Sequence, residues 1–224
     1  MIPAATAARA ARLSILARLQ RGLEALYRVD TNLDVESFLI DERERRETGV
    51  ARTPREQLVL RQCGEDELHI GLFLDDRAVS NLEANDPARG LDHTNFDDFC
   101  LVVEGVSHFI YVALAAAGDR RVSALELELQ AEVDKFACCL LLSGQADPRS
   151  LSRRLYHHIS FADDLDHDEA DRYRVANLEA RRYADALSRR FLARDRLPDL
   201  LAELRQFYRL GLDAKLGHIA RSAA

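Results

Sequence analysis

The 224-residue sequence has few cysteines, and their spacing fits neither a zinc knuckle nor a disulfide framework. None of the four cysteines forms a CxxC pair, and Cys138 and Cys139 are adjacent in an apolar run. Cysteines in such a position act as small core residues. The sequence therefore predicts a protein of a reducing compartment, the cytoplasm.

Long apolar runs and nucleotide-binding motifs are also missing. No apolar run reaches the roughly 18 residues that a membrane-spanning helix needs, so no transmembrane segment is expected. Neither a P-loop nor G-x-G-x-x-G occurs. The net charge of -7 argues against phosphate-backbone binding, and we expect no nucleic-acid partner. Hydrophobic residues make up 47% of the chain, enough for one domain with a packed core.

The first 28 residues are rich in arginine and alanine, with leucines at helical spacing. Organellar transit peptides and membrane-surface helices share this pattern. The leucine spacing favours instead an amphipathic first helix that packs on the domain. A second arginine stripe could engage an anionic or protein partner, although a solvated helix face is the commoner arrangement. The stripe comprises Arg172, Arg174, Arg181, Arg182, Arg189 and Arg190.

The middle of the chain predicts a small sheet followed by two helices. Residues 57–62 and 67–74 read as a β-hairpin, and helices are expected at about 97–117 and from Ser123 to about Leu142. A further strand is expected within 33–42, followed by a charged loop over 41–55. Later segments predict helices rich in charged residues, and a single last helix is expected to begin near Pro198 and to include Leu212. The predicted class is α+β and helix-rich, with helical extensions at both ends.

The two central helices carry paired ionisable residues on apolar faces. Glu104 and His108 are four residues apart, as are Glu128 and Glu132, so each pair shares one helix face. Ionisable groups in apolar surroundings are costly unless they are paired or bound to metal. The sequence therefore places its candidate chemistry on these two helices.

This arrangement resembles the ImmA/IrrE family of zincin-like metallopeptidase domains. The resemblance covers roughly residues 56–142: a hairpin, a loop, the helix Phe99–Phe109, then Glu132-Val-Asp-Lys-Phe-Ala137 followed by Leu140-Leu-Leu142. In zincins the first helix carries H-E-x-x-H, whose histidines bind zinc and whose glutamate is the general base. We expect a single domain over 1–224, in which the zincin-like core that the resemblance implies spans 31–145. An N-terminal amphipathic helix at 1–30 and a C-terminal helical part at 146–224, both expected from the residue pattern, extend it.

The chain departs from the family motif at two of its positions. Glu104 replaces the first histidine and Gly105 replaces the general base, whereas His108 keeps its place and Glu132 stands at the third-ligand position. The resemblance implies a metal site of Glu104, His108 and Glu132 that holds zinc or another divalent metal. Ser107, Glu128 and Asp134 are expected around it. The predicted function is that of a degenerate zincin-like protein that binds or regulates, without ordinary peptidase chemistry.

Three alternatives use the same residues. An active metal-dependent hydrolase would need a base from elsewhere, such as Glu128 or Asp134. An interaction protein would use the histidine and glutamates as a buried polar network that fixes helix packing. A di-metal bundle fits less well, because its Glu-x-x-His motif occurs nowhere in the chain. The tandem pair His157-His158 cannot readily chelate one ion, since neighbours on a helix point about 100° apart.

Overall fold

The computed structural model describes residues 13–47, 54–63, 68–143, 147–157 and 167–223. The described residues are 72% helical and include one small antiparallel sheet, which confirms the helix-rich α+β class. The helices in chain order are α1 (Ile15–Tyr27), α2 (Glu42–Glu47), α3 (Asp76–Ala84), α4 (Phe96–Ala117), α5 (Ala124–Ser143), α6 (Pro148–Tyr156), α7 (His167–Arg190), α8 (Leu197–Tyr208) and α9 (Leu212–Ala223). The strands are β1 (Glu56–Gln62) and β2 (Leu68–Leu74).

The predicted hairpin and the two central helices are confirmed. Strands β1 and β2 pair antiparallel from Glu56 opposite Leu74 to Gln62 opposite Leu68. Helix α5 begins as its sequence predicts, because Ser123 Oγ accepts the backbone N–H of Glu126 at 3.2 Å. Helix α4 ends at Gly118, whose N–H bonds carbonyls of the last turn.

The prediction of a strand within 33–42 is wrong, and the loop predicted over 41–55 is helical at 42–47, although Pro54 and Arg55 have no regular structure. A 3₁₀ turn spans Val35–Phe38, and Leu39 forms only a single bridge to Leu72. The start of the supposed loop is α2. Its first turn is fixed by a reciprocal capping box, in which Asp41 Oδ1 accepts the N–H of Glu44 and Glu44 Oε2 accepts the N–H of Asp41. This capping box favours a helix at 42–47 more strongly than the charged composition favours a loop.

Helix α1 confirms the packed amphipathic alternative for the part of the N-terminus that is described. Leu16, Leu23 and Leu26 are buried, while Arg21 and Arg28 face solvent. Residues 1–12, with Arg9 and Arg12, lie outside the described residues. At the other end of the chain, the single last helix expected from Pro198 is two helices, because the chain turns after Tyr208 and Leu212 begins α9.

Helix α4 is the centre of the core. Its described neighbours include α1, α3, α5 and both strands. It is long and apolar enough to cross a membrane by length and composition alone, but 72% of its most apolar window is buried inside the protein. Because a helix that is apolar on all sides packs stably inside a domain, this burial is what a core helix shows.

Gly105 allows α4 to lie close against the hairpin. A Cβ at this position would lie 2.7 Å from Leu74 Cδ2, 3.0 Å from Glu56 Cγ and 3.2 Å from Leu72 Cδ1. Only glycine fits this approach without displacement of its neighbours. The close approach brings the first residue of β1 to the polar face of α4.

Candidate metal centre

Helices α4 and α5 and strand β1 together place six ionisable side chains in one region. Helix α4 supplies two of them, α5 supplies three and β1 supplies one, and all have side chains at most 20% exposed. We call this group the ionic cluster: Glu56, Glu104, His108, Glu128, Glu132 and Lys135.

Three members of the ionic cluster could hold a metal ion. One ligand atom each from Glu104, His108 and Glu128 lie within 4.8 Å of one another. Glu104 and His108 project from one face of α4, as their i,i+4 spacing predicts, and Glu128 faces them from α5. Carboxylate oxygen and imidazole nitrogen are both ligands of zinc, iron and manganese.

The two ring nitrogens of His108 have different surroundings. Nδ1 lies 3.3 Å from Glu56 Oε1, within hydrogen-bond distance. Nε2 lies 3.7 Å from Glu128 Oε2, too far for a hydrogen bond, and is buried without a hydrogen-bond partner. A histidine that ligates a metal through one nitrogen usually donates its other N–H to a carboxylate or carbonyl, as Glu56 provides here.

Glu132, the residue expected as third ligand, is held by a lysine. Lys135 Nζ donates to Glu132 Oε1 at 2.6 Å and to Glu104 Oε2 at 2.9 Å. The second carboxylate oxygen of Glu132 is buried without a hydrogen-bond partner. The compact three-residue group contains Glu128 in its place, and ligation by Glu132 stays a prediction.

The pKa values in the ionic cluster record an excess of buried acids. Burial raises the pKa of Glu128 to about 7 and also raises those of Glu56 and Glu132. Burial alone would lower the pKa of His108, but the hydrogen bond and charge of Glu56, with the charges of Glu128 and Glu104, raise it to about 10. For Glu104, the charges of Lys135 and His108 outweigh burial and lower its pKa.

Ser107 and Asp134 form a separate network beside the ionic cluster. Ser107 Oγ donates to Asp134 Oδ2 at 2.6 Å, and Asp134 Oδ1 accepts hydrogen bonds from Tyr27 and from Gln130. Lys215 of α9 donates to Gln130 Oε1. Of the two residues suggested as the base of a hydrolase, Asp134 is bonded within this network. Glu128 is the one that lies beside His108.

Sequence reasoning missed Glu56 and Lys135. The signal for Lys135 was its i,i+3 spacing from Glu132, which predicts an ion pair on one helix face. No local signal marks Glu56, because its contact with His108 spans 52 residues and depends on how the hairpin packs.

Several other histidines and the arginine stripe are not part of the ionic cluster. His69 is an exposed strand residue, and His157 ends α6, while His158 lies outside the described residues. In the arginine stripe, Arg174 and Arg182 form ion pairs within α7, with Asp171 and Glu179. Such pairs are typical of a solvated helix face.

Comparison with known proteins gives no significant match to a family model, a curated protein or a solved structure. The resemblance to the ImmA/IrrE family accordingly stays a prediction. The function of this chain has to be inferred from the geometry of the ionic cluster.

Proposed function

We propose that this protein is a zincin-like metal-binding protein with a binding or regulatory role, in which Glu104, His108 and Glu128 hold one divalent cation. The observation that carries the proposal is His108 Nε2, which is buried without a hydrogen-bond partner 3.7 Å from Glu128 Oε2, in a group whose ligand atoms from Glu104, His108 and Glu128 lie within 4.8 Å of one another. A metal ion would satisfy this nitrogen and both carboxylates together.

The hydrogen bond from Nδ1 supports this assignment. Glu56 can accept an N–H from Nδ1, which leaves the Nε2 lone pair for a metal once the ring is neutral. Carboxylate partners of this kind orient the imidazole and raise its basicity as a ligand. Glu56 therefore has a defined role, that of positioning His108.

The charge of the ionic cluster is a second, independent support. Its four carboxylates outnumber His108 and Lys135, the two groups that can be cationic. Buried charges of one sign are costly without compensation, and a divalent cation supplies it. Zinc, iron and manganese all suit a Glu/His/Glu set.

Ordinary zincin peptide hydrolysis is disfavoured by the residue at the base position. Gly105 carries no carboxylate, and a larger side chain there would displace Leu74 and Glu56, because its Cβ would lie 2.7 Å from Leu74 Cδ2 and 3.0 Å from Glu56 Cγ. The resemblance therefore implies the fold and the metal more strongly than the reaction.

Two further functions remain open to test. A hydrolase could use Glu132 as its base, because one Glu132 oxygen is buried without a partner and burial raises the pKa of this residue. A protein without metal could use the ionic cluster to fix helix packing, since Lys135 already joins α4 to α5 through Glu104 and Glu132.

The test is the metal content of purified protein, measured by elemental mass spectrometry for wild type, Glu104→Gln, His108→Ala and Glu128→Gln. His69→Ala is the matched control, since His69 is an exposed histidine that is not a member of the cluster. We expect near-stoichiometric metal in wild type and control and loss of it in the three variants. Equal metal content in all five proteins, or none in wild type after incubation with zinc, manganese or iron(II), would contradict the proposal.

A further inference from the structure

A groove beside α4, separate from the ionic cluster, has a mostly apolar lining that includes one charged pair, Arg18 and Asp86. Its volume is about 290 Å³, and it lies between α1, the turn at Pro87, α4 and the end of α5. The apolar residues that line it include Leu19, Leu23, Leu26, Phe99, Leu141 and Leu142. Leu141 and Leu142 are adjacent in the chain and 42% and 39% exposed, so both add accessible apolar surface to the groove.

The charged pair leaves part of an arginine without a partner. Arg18 Nη1 donates to both carboxylate oxygens of Asp86 at 3.0 Å. Arg18 Nε and Nη2 are buried and have no hydrogen-bond partner. Nε and Nη2 form one two-donor edge of the guanidinium, whose geometry matches the two oxygens of a carboxylate.

We propose that this groove binds a single-chain amphiphile with a carboxylate head group, that is, a medium-chain fatty acid. The carboxylate accepts from the Nε–Nη2 edge of Arg18, and the hydrocarbon chain lies on the leucines and Phe99. The volume is at the low end of the range of about 300–1,000 Å³ for ligand pockets, which suits a short chain. The buried carboxylate of Asp86 repels any anion that approaches Arg18. A small anion has nothing to offset this repulsion, whereas an amphiphile also gains from burial of its apolar chain.

Gly22 provides a direct way to close the groove. It lines the groove, and a Cβ built on it meets no atom within 4 Å. Gly22→Leu therefore places a large side chain in open space and leaves the core contacts of α1 in place. Ala25→Leu is the matched control, because Ala25 is an exposed residue on the same helix that does not line the groove.

The test is isothermal titration of the full-length protein with decanoate, decanol and decyltrimethylammonium, each below its aggregation concentration. We expect decanoate to bind about tenfold or more tightly than decanol, the ratio that one charge-assisted hydrogen bond supplies, and the cationic amphiphile to bind least. Arg18→Lys keeps a cation for Asp86 but lacks the two-donor edge, so it should reduce the preference for decanoate over decanol. Gly22→Leu should abolish binding of both, and Ala25→Leu should leave binding unchanged.

Circular dichroism and thermal unfolding establish that each variant is folded. The proposal is overturned if decanoate does not bind wild type, if decanol and decanoate bind equally, or if Gly22→Leu binds as wild type does. If decanoate does not bind and Gly22→Leu changes the oligomeric state in solution, the groove is instead an interface between copies of the chain.

Discussion

At the scale of single residues, His108 is the side chain around which the proposed site is organised. Its two nitrogens face different groups, Glu56 at Nδ1 and Glu128 at Nε2. The sequence predicted Glu104 and His108 on one face because i,i+4 spacing is a local property of a helix. It did not predict Glu56, whose position depends on packing between a strand and a helix distant in sequence.

The role of Glu56 can be measured without removing a ligand. We expect Glu56→Gln to weaken metal affinity by about 10- to 100-fold, because outer carboxylates orient and activate the ligating imidazole. Competition with a fluorescent zinc chelator measures this affinity. Glu179→Gln, which alters a glutamate that pairs with Arg182 on α7, is the control. Equal affinities of Glu56→Gln and wild type would remove the positioning role.

His108→Ala separates a metal site from a packing network by the effect of zinc on stability. Without metal, the change leaves buried carboxylates without a cation in either case and costs about 3–5 kcal/mol. In a metal site, added zinc should raise the free energy of unfolding of wild type but not that of His108→Ala, whereas in a packing network it should raise neither. Urea unfolding with a chelator and with zinc measures both differences, and no stabilisation of wild type by zinc would favour the network.

At the scale of elements, contacts between α4, α5 and the hairpin decide which side chains meet. The bounds of α4 and α5 could be predicted from the sequence because capping residues and apolar runs are local. That Glu128, and not Glu132, belongs to the three-residue group could not be predicted from the sequence, since both residues lie on the same face of α5. The distinction depends on Lys135, which holds Glu132.

Two glycine-to-alanine substitutions test the close approach of α4 to the hairpin. Gly105→Ala should lower the free energy of unfolding by about 1–3 kcal/mol, the usual cost of added volume in a packed core, because its Cβ meets Leu74 at 2.7 Å. Gly22→Ala, in the open part of α1, should raise it by about 0.5–1 kcal/mol through helix propensity. Chemical unfolding of both variants measures the sign of each change in the free energy of unfolding. Stabilisation by Gly105→Ala would refute the close packing.

At the scale of the whole molecule, a buried polar network joins the two ends of the chain to the central helices. It runs from Tyr27 of α1 through Asp134 and Gln130 of α5 to Lys215 of α9. Nothing local in the sequence marked this connection, because Tyr27 and Asp134 are 107 residues apart. Lys215 is fully buried, and its ammonium lies 4.5 Å from the ring centre of Phe207.

Lys215 should make stability depend on pH. Burial lowers its pKa to about 7, only partly offset by the charges of Asp134 and Glu126, while Arg120 lowers it further. Between about pH 7 and pH 10.4, the unfolded chain binds a proton that the folded protein lacks, so this group adds stability as pH rises. We expect the free energy of unfolding of wild type, minus that of Lys215→Met, to increase from pH 7 to pH 10. Contributions common to both proteins, such as that of His108, cancel in the difference. A flat or falling difference would show that Lys215 keeps an ordinary pKa.

The most direct measurement of the central claim is anomalous diffraction from crystals of the full-length protein grown with zinc or manganese. The proposed function predicts one strong anomalous peak bounded by Glu104, His108 and Glu128, about 2.0–2.1 Å from His108 Nε2 in the zinc form, with Nδ1 bonded to Glu56. No peak at this position, with His108 Nε2 still without a partner or a peak only elsewhere on the chain, would contradict it.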